Sequence, residues 1–256
     1  MSISYVDILN LPERSLLQKK LTKAFFLKNF DLSASEKKVL NNSIVQMEWL
    51  ASLKPTNCNV PSVINDVATY EEVQIMICNV GTEKVDEVAT NCFQLFQKHI
   101  PYNMLVIVEN DTEFKLNVCE KRINQNDKTK RTIENQYTSG TISKLYKTEL
   151  SEAFLSALDF SKLDKTNLAL LYRGYCNAIV QFNSASVTGV FNIRNSVRTQ
   201  DDLVMLNQIE DLERDISKLT NQLKAEKQQN QKVTLNIAIH QKRKQIEDIK
   251  IKLSQI

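Results

Sequence analysis

Glu113 and Lys115 stand two residues apart in the segment ENDTEFKLNVCEKR, and Glu120 lies five residues beyond Lys115. Restriction-type nucleases that depend on metal hold Mg²⁺ with carboxylates of this kind, and a nearby lysine positions the attacking water. These residues therefore raise the hypothesis of a Mg²⁺-dependent nuclease. However, Glu113 and its acidic neighbours crowd a tight turn, where charged residues are commonly solvated. Glu120 has the alternative role of a strand-end carboxylate that pairs with a lysine.

Other catalytic patterns have no support in the sequence. The two histidines, His99 and His240, are far apart in the chain and belong to no cluster of ligands or nucleophiles, so neither a triad nor a zinc site is predicted. The four glycines form no phosphate-binding loop. We therefore expect no metal and no cofactor, and we favour a protein that is not an enzyme.

A cluster of basic residues follows the nuclease-like segment and defines a second candidate site. A flexible basic loop that leaves a sheet edge suits the phosphates of a nucleic acid, either DNA or RNA. An ordinary solvated loop has the same composition, so both interpretations stay open. The predicted nucleic-acid contacts are Lys121, Arg122, Lys128, Lys130 and Arg131.

The periodicity of apolar residues predicts the elements that position these side chains. EVQIMICNV and NMLVIVEN are short apolar runs rich in β-branched residues, and residues 85–96 between them keep helical spacing. This pattern predicts two parallel strands joined by a right-handed helical crossover. The next segment, FKLNVCEKR, alternates as a half-buried strand does, so a mixed sheet of three or more strands is expected.

Helices are predicted before and after this sheet. Residues 1–55 show helical spacing, with Ser33 as an N-cap and Glu36 completing a capping box, and residues 148–184 recover helical spacing. Residues 123–143 are predicted as a long loop with one further strand near Tyr137. The predicted fold is therefore α/β (α+β), with a mixed sheet at residues 57–145 inside a body of residues 1–195.

Two heptad seams occupy the C-terminal part of the chain, on either side of the polar stretch Lys224–Lys232. The seams are out of phase, so a continuous coiled coil would lose its apolar seam at this stretch. A turn near Gln229 and Asn230 restores the pairing and places a net acidic arm beside a net basic arm. We therefore predict an antiparallel coiled-coil hairpin over residues 200–256.

Ile237 and Ile251 form a second apolar stripe on the second arm, two heptads apart. Such a stripe requires cover from the body of this protein or from a partner, so these two residues are the predicted partner-binding positions.

Composition limits which compartment and which partners are expected for this protein. The net charge of +3 is too small for a strongly basic nucleic-acid binder. The five cysteines are widely spaced and contain no CxxC motif, which disfavours a disulfide framework. No apolar run approaches the roughly 18 residues that span a bilayer. We therefore expect a cytoplasmic protein with no membrane partner.

The chain resembles DUF4391, a bacterial family of domains of unknown function. The resemblance runs from about Leu16 to the end and is carried by a Glu-Lys, then Trp pattern, by strands of the EVQIMIC, IPYNMLVIV and KLNVCEKR types, and by the hairpin EKQQNQKVTLN. It implies a place beside helicases and DNA methyltransferases in restriction and anti-phage gene clusters, and it supplies no catalytic residues. The function it implies is that of a non-catalytic, partner-binding accessory protein, with the Mg²⁺-dependent nuclease as the alternative.

Overall fold

The computed structural model describes residues 4–127 and 130–255. The chain divides into two compact units, Met1–Phe182 and Asn183–Ile256. The first unit is an α/β body, and the second contains the paired C-terminal helices. The division lies about a dozen residues before the predicted boundary near residue 195.

A mixed seven-stranded sheet forms the centre of the first unit. Its strand order is β1-β2-β5-β6-β7-β8, with β9 also paired to β7, so neighbouring strands follow the order of the chain. The sheet strands are β1 (Leu16–Leu21), β2 (Gln46–Leu53), β5 (Val73–Asn79), β6 (Asn103–Glu109), β7 (Glu113–Ile123), β8 (Arg131–Thr138) and β9 (Ile142–Ser143). Two short strands, β3 (Val63–Ile64) and β4 (Thr69–Tyr70), form a separate ladder.

The helices of the first unit are α1 (Tyr5–Ile8), α2 (Lys23–Asn29), α3 (Ala34–Lys38), α4 (Pro55–Cys58), α5 (Val85–His99), α6 (Glu149–Ala157) and α7 (Leu168–Thr188), whose last turns extend into the second unit. β5 and β6 are parallel and are joined by α5, which confirms the predicted strand-helix-strand unit. The strand predicted to follow them is β7, which is antiparallel to β6.

Apolar side chains cover both faces of the central strands. On one face, Met76 and Val106 pack with Phe93 and Phe96 of α5. On the other face, the alternate residue Leu105 is also fully buried. A parallel pair of strands is stable in this environment because both of its faces are removed from water.

The prediction that residues 1–55 are helical is wrong for β1 and β2. β2 lies between β1 and β5, and its burial is nearly continuous from Leu50 to Leu53. A register shift between Trp49 and Ala51 interrupts its alternation further. A strand buried in this way loses the period of two, so its apolar spacing resembles that of a helix.

The predicted capping box is confirmed at the start of α3. The Ser33 amide donates to Glu36 Oε2 at 2.7 Å, and the Glu36 amide donates to Ser33 Oγ at 3.3 Å. These bonds satisfy helix amides that have no partner within the helix.

The predicted loop over residues 123–143 is shorter in the structure, because β8 and β9 occupy much of this segment. The strand expected near Tyr137 is β8. Its exposed middle residues, Glu134 to Gln136, carry no apolar alternation, since this strand lies at the edge of the six-stranded path.

Two polar side chains bridge the region where β6 and β7 stop pairing, beyond Leu105 and Val118. The Tyr172 hydroxyl accepts from the Cys119 amide at 3.0 Å and shares its proton between Met104 O at 2.9 Å and Cys119 O at 3.0 Å. Nearby, Lys121 Nζ donates to two backbone oxygens of the α5–β6 connection. The bridging groups satisfy backbone atoms that the ladder leaves unpaired.

The second unit contains an antiparallel helical hairpin of α8 (Ser196–Ala225) and α9 (Gln229–Ser254), which confirms the predicted fold-back. The turn is Glu226–Gln228, so Gln229 and Asn230 begin α9 instead of forming the turn. The Glu226 carboxylate accepts from the amides of Lys227 and Gln228. The hairpin core contains Ile209, Ile246 and Leu253, with Met205, Leu206, Leu212, Ile216 and Ile249 partly buried against them.

Candidate functional site

Glu113 and Lys115 of β7 are both bound to the first turn of α5. Glu113 Oε1 accepts from the Val85 amide at 3.1 Å, and Lys115 Nζ donates to Asp86 Oδ1 at 2.6 Å. The hydrogen bond from Lys115 holds the pKa of Asp86 below its usual value. A carboxylate at a helix N-terminus satisfies a free amide and interacts favourably with the helix dipole. Both side chains therefore fasten α5 to the sheet.

Glu120 lies seven residues further along β7, which at about 3.3 Å per residue is roughly 23 Å from Glu113. Its Oε2 accepts from the Tyr137 hydroxyl at 2.7 Å and from Asn135 Nδ2 at 2.9 Å. Burial, followed by the hydrogen bond to Glu120, raises the pKa of Tyr137. The structure therefore does not bring the three predicted nuclease residues together. Within residues 4–127 and 130–255, no group of three or more His, Cys, Asp or Glu side chains could hold a metal ion.

Lys121 is buried, which corrects its prediction as a nucleic-acid contact. Lys121 is only 3% exposed, and its Nζ donates to Ile100 O and Tyr102 O, each at 2.8 Å. Desolvation lowers the pKa of Lys121 to about 7. The error arose because β7 was predicted as half-buried. Asn117 and Cys119, on the same face as Lys121, are also buried, so both faces of the strand are covered.

Three other basic residues of the predicted loop, Arg122, Lys130 and Arg131, have partners within the first unit. Arg122 pairs with Glu134 at 3.0 Å, and Lys130 pairs with Asp127 at 3.3 Å. Arg131 donates to Thr69 Oγ1 at 3.1 Å. Lys128 lies outside the described residues. Most of the described cations of this loop are therefore paired within the β7–β8 hairpin or with residues beside it.

A polar cleft of about 360 Å³ lies at the carboxyl ends of the parallel strands β5 and β6, where open α/β sheets commonly bind ligands. It is lined in part by Glu48, Asn79 and Glu109. Glu109 Oε2 accepts from the Tyr5 hydroxyl at 2.7 Å and from Lys144 Nζ. Burial, and then the charge of Glu109, raises the pKa of Tyr5. No local pattern in the sequence indicates this cluster, because its members are distant in the chain.

A groove of about 860 Å³ lies between α1, β9 and α6. Ile8, Phe114 and Leu155 line it, and Asp7 and Lys147 are among its charged residues. Its volume lies in the range of small-molecule sites. Sequence reasoning missed it because the lining residues come from segments that carry no shared motif.

The base of the C-terminal hairpin contains an ionic cluster in which Arg194 and Arg198 surround the buried Asp202. Asp202 Oδ1 lies 2.9 Å from Arg194 Nη1 and 3.0 Å from Arg198 Nε. Arg194 also donates to Leu253 O at 2.7 Å, and Arg198 donates to Lys252 O at 2.8 Å and to Gln255 O at 3.0 Å. The two guanidinium groups thus satisfy carbonyls at the end of α9 that have no partner within the helix.

The predicted partner-binding residues Ile237 and Ile251 are 54% and 61% exposed. They lie on α9, whose opposite side supplies Ile246 to the hairpin core. Lys242 and Asp215 join the basic and acidic arms at 2.9 Å. The hairpin is therefore packed on its inner side and carries exposed apolar residues on its outer side.

The fold is a mixed-sheet α/β body followed by an antiparallel helical hairpin. The model of the family described as Domain of unknown function (DUF4391) matches residues 9–246, and the chain belongs to this family. No curated protein and no solved structure matches the chain. Every helix within the described residues is too short or too polar to cross a membrane.

Proposed function

We propose that this chain is a non-catalytic accessory protein of a bacterial DNA-targeting defence or restriction-modification-like system, and that its C-terminal hairpin docks onto a protein partner. A helicase or a DNA methyltransferase of the same system is the proposed partner. The observation that carries the proposal is the exposure of Ile237 and Ile251 on α9. The proposed compartment is the cytoplasm, and the five cysteines are buried free thiols.

The hairpin does not need the outer stripe for its own packing. Ile209, Ile246 and Leu253 are buried between α8 and α9. With 3.6 residues per turn, Ile237 and Ile251 lie on one side of α9, roughly opposite Ile246. An amphipathic helix with a second apolar stripe is suited to docking in the groove of another protein.

The contacts of the nuclease-like residues support the non-catalytic part of the proposal. Glu113 and Lys115 bind the start of α5, and Glu120 binds Tyr137 and Asn135. A metal-dependent nuclease requires its carboxylates to converge on one ion. These side chains instead satisfy separate groups along β7.

The docking proposal is tested by titrating the purified chain with a helicase or a DNA methyltransferase of the proposed system, using calorimetry. Replacing both Ile237 and Ile251 with Asp should weaken the complex at least about 30-fold, as expected for the loss of buried apolar anchors. Val204→Asp is the matched control, because Val204 is exposed on α8 and lies outside the stripe. This control should bind as the wild type does.

Equal affinity of the double variant and the wild type would contradict docking through this stripe. Absence of a complex with either enzyme would remove the proposed partner. Incubation with DNA and Mg²⁺ tests the alternative function. Cleavage that disappears in a Glu113→Ala, Lys115→Ala variant would replace the accessory proposal with a nuclease.

A further inference from the structure

A second group of lysines lies on the N-terminal part of the first unit, outside the loop that the sequence indicated. Residues 16–43 contain six lysines and two acidic residues, Asp31 and Glu36. Four of these lysines, Lys19, Lys28, Lys37 and Lys38, form what we call the N-terminal basic patch. All four are exposed. Among the described residues, none of them has an ion-pair partner within 4.0 Å.

Packing brings the elements that carry this patch onto one face of the sheet. Phe26 of α2, Leu40 after α3 and Phe96 of α5 belong to one buried cluster with the sheet residues Met47 and Met76. Lys19 pairs in register with Trp49, two residues from Met47, so its side chain projects on this same face at the edge strand β1. The four lysines therefore lie on the helices that cover this face of the sheet and on the strand at its edge.

Contacts between the helices make this layer continuous. The rings of Phe26 and Phe96 lie 5.5 Å apart, and those of Phe30 and His99 also lie 5.5 Å apart. Lys23 Nζ donates to Asn41 O at 2.9 Å, which joins α2 to the segment after α3. The patch is thus held on a packed surface.

The acidic residue Glu36 does not neutralise the patch, because it is already bound by other cations. Lys98 Nζ lies 2.8 Å and His99 Nε2 3.0 Å from Glu36 Oε1. Although burial opposes ionisation, hydrogen bonds from Lys98, Ser33 and His99 lower the pKa of Glu36 to about 2. Glu36 therefore remains a carboxylate that is held by Lys98 and His99 of α5, and among the described residues it forms no ion pair with the four patch lysines.

An exposed aromatic side chain lies on α2, three residues before Lys28. Phe25 of α2 is 37% exposed, and edge-to-face contacts with Phe26 at 5.8 Å and Phe30 at 6.2 Å fix its ring. An unpaired base stacks on such a ring, while lysines contact the phosphates on either side. A duplex offers no free base face to Phe25.

We infer that the N-terminal basic patch, with Phe25, binds single-stranded nucleic acid, and that this surface, not the β7–β8 loop, is the main polyanion site of the chain. The patch and the loop differ in whether their charges are paired. In the loop, Arg122 and Lys130 pair with acids and Lys121 is buried. In the patch, the charges are exposed and unpaired among the described residues. The inference goes beyond the proposed function, since it involves neither the hairpin nor a protein partner.

The test is fluorescence anisotropy of a labelled oligothymidylate of about 20 nucleotides with the full chain, between about 50 and 200 mM salt. Replacing Lys19, Lys28, Lys37 and Lys38 with Ser should weaken binding at least tenfold. Each phosphate contact to a single strand contributes about 0.7 to the salt slope, so the slope should fall by about 3. Phe25→Ser should weaken binding about fivefold or more without a comparable change in slope.

A charge-matched control replaces Arg122, Lys128, Lys130 and Arg131 with Ser and should change the affinity less than twofold. No binding by the wild type at low salt would overturn the inference. An equal loss in both four-residue variants would also overturn it, because net charge would then explain the affinity. Tighter binding of a duplex than of the single strand would reject the stacking role of Phe25. The assay contains no protein partner, so its failure leaves the docking proposal standing.

Discussion

Each unit of this molecule contains a cationic site that holds backbone carbonyls, and the two sites differ in how the charge is balanced. In the α/β body, Lys121 holds the oxygens of Ile100 and Tyr102 just beyond the end of α5. In the hairpin, Arg194 and Arg198 hold the carbonyls at the end of α9 and share the carboxylate of Asp202. The lysine relies on neutral oxygens, whereas the arginines have a buried anion between them.

This difference indicates which kind of perturbation each unit will sense. An amine in a dry site loses its proton readily, because desolvation penalises the charged form. A guanidinium remains charged at neutral pH, so its cluster is sensitive instead to the loss of the anion. The body should therefore respond to pH near neutrality, and the hairpin should respond to substitution of Asp202.

The largest expected effect is that of Asp202→Ala on the hairpin. Its removal leaves two largely buried guanidinium groups without their anion, which should destabilise the C-terminal unit by about 3–5 kcal/mol. Hydrogen exchange of the α8 and α9 amides measures this loss locally. Asp215→Ala is the control, because Asp215 pairs with Lys242 at an exposed position and its loss should change the protection little. Equal protection in the two variants would contradict a special role for Asp202.

Lys121→Met should remove a pH-dependent component of the stability of the body. The pKa of Lys121 is about 7 in the folded protein, whereas an unfolded lysine titrates near 10.4. Between these values the unfolded chain binds the proton and the folded chain does not, so the free energy of unfolding rises with pH. We expect this component to amount to about 2–4 kcal/mol between pH 6.5 and pH 9.

Urea unfolding of the wild type and Lys121→Met at several pH values measures this component as the difference between their slopes. Other titrating groups contribute to both proteins and largely cancel. Parallel slopes would show that Lys121 keeps its proton in the folded state throughout this range. The constant loss of two hydrogen bonds in the variant does not alter the slope.

Tyr172→Phe removes a neutral group that bridges backbone atoms, in contrast with the charged Lys121. It should have the smallest of the three effects. The hydroxyl bonds to Cys119 N, Cys119 O and Met104 O, so its loss leaves buried backbone groups unpaired at a cost of about 1–3 kcal/mol. Burial raises the pKa of Tyr172 well above its usual value, so the loss should be the same from pH 6.5 to pH 9. Tyr146→Phe, at an exposed position, is the control and should be nearly silent in urea unfolding. A pH-dependent loss would show that the hydroxyl acts through a titrating neighbour.

Periodicity predicted the elements whose apolar residues are local and regular. The strand-helix-strand unit was recognisable because the β5, α5 and β6 segments each keep one period. The hairpin was recognisable because its two seams conflict in a continuous helix. The same reasoning failed for β2, where burial on both faces erased the alternation, and it misplaced the turn by about three residues, because Glu226 and not Asn230 supplies the turn contacts.

The candidate sites were less accessible to sequence reasoning, because their side chains act over long separations in the chain. The residues next to Lys121 in the sequence do not indicate that α5 ends beside it. Those next to Glu113 do not indicate that it binds the Val85 amide. Local composition marked the β7–β8 segment as basic but did not show that Glu134 and Asp127 pair with its cations. Ile237 and Ile251 are exposed on α9, and their role in binding a partner stays a prediction.

The strand order of the sheet bears on how the body forms. Each strand of the path from β1 to β8 pairs with the sheet strand that precedes it in the chain, and β9 adds beside β7. Among the described strands, none therefore has to insert between two strands that are already paired. Short separations between partners keep the entropy cost of loop closure low. The sheet can thus grow strand by strand from the N-terminus as the chain leaves the ribosome, before the helices of the second unit have been synthesised.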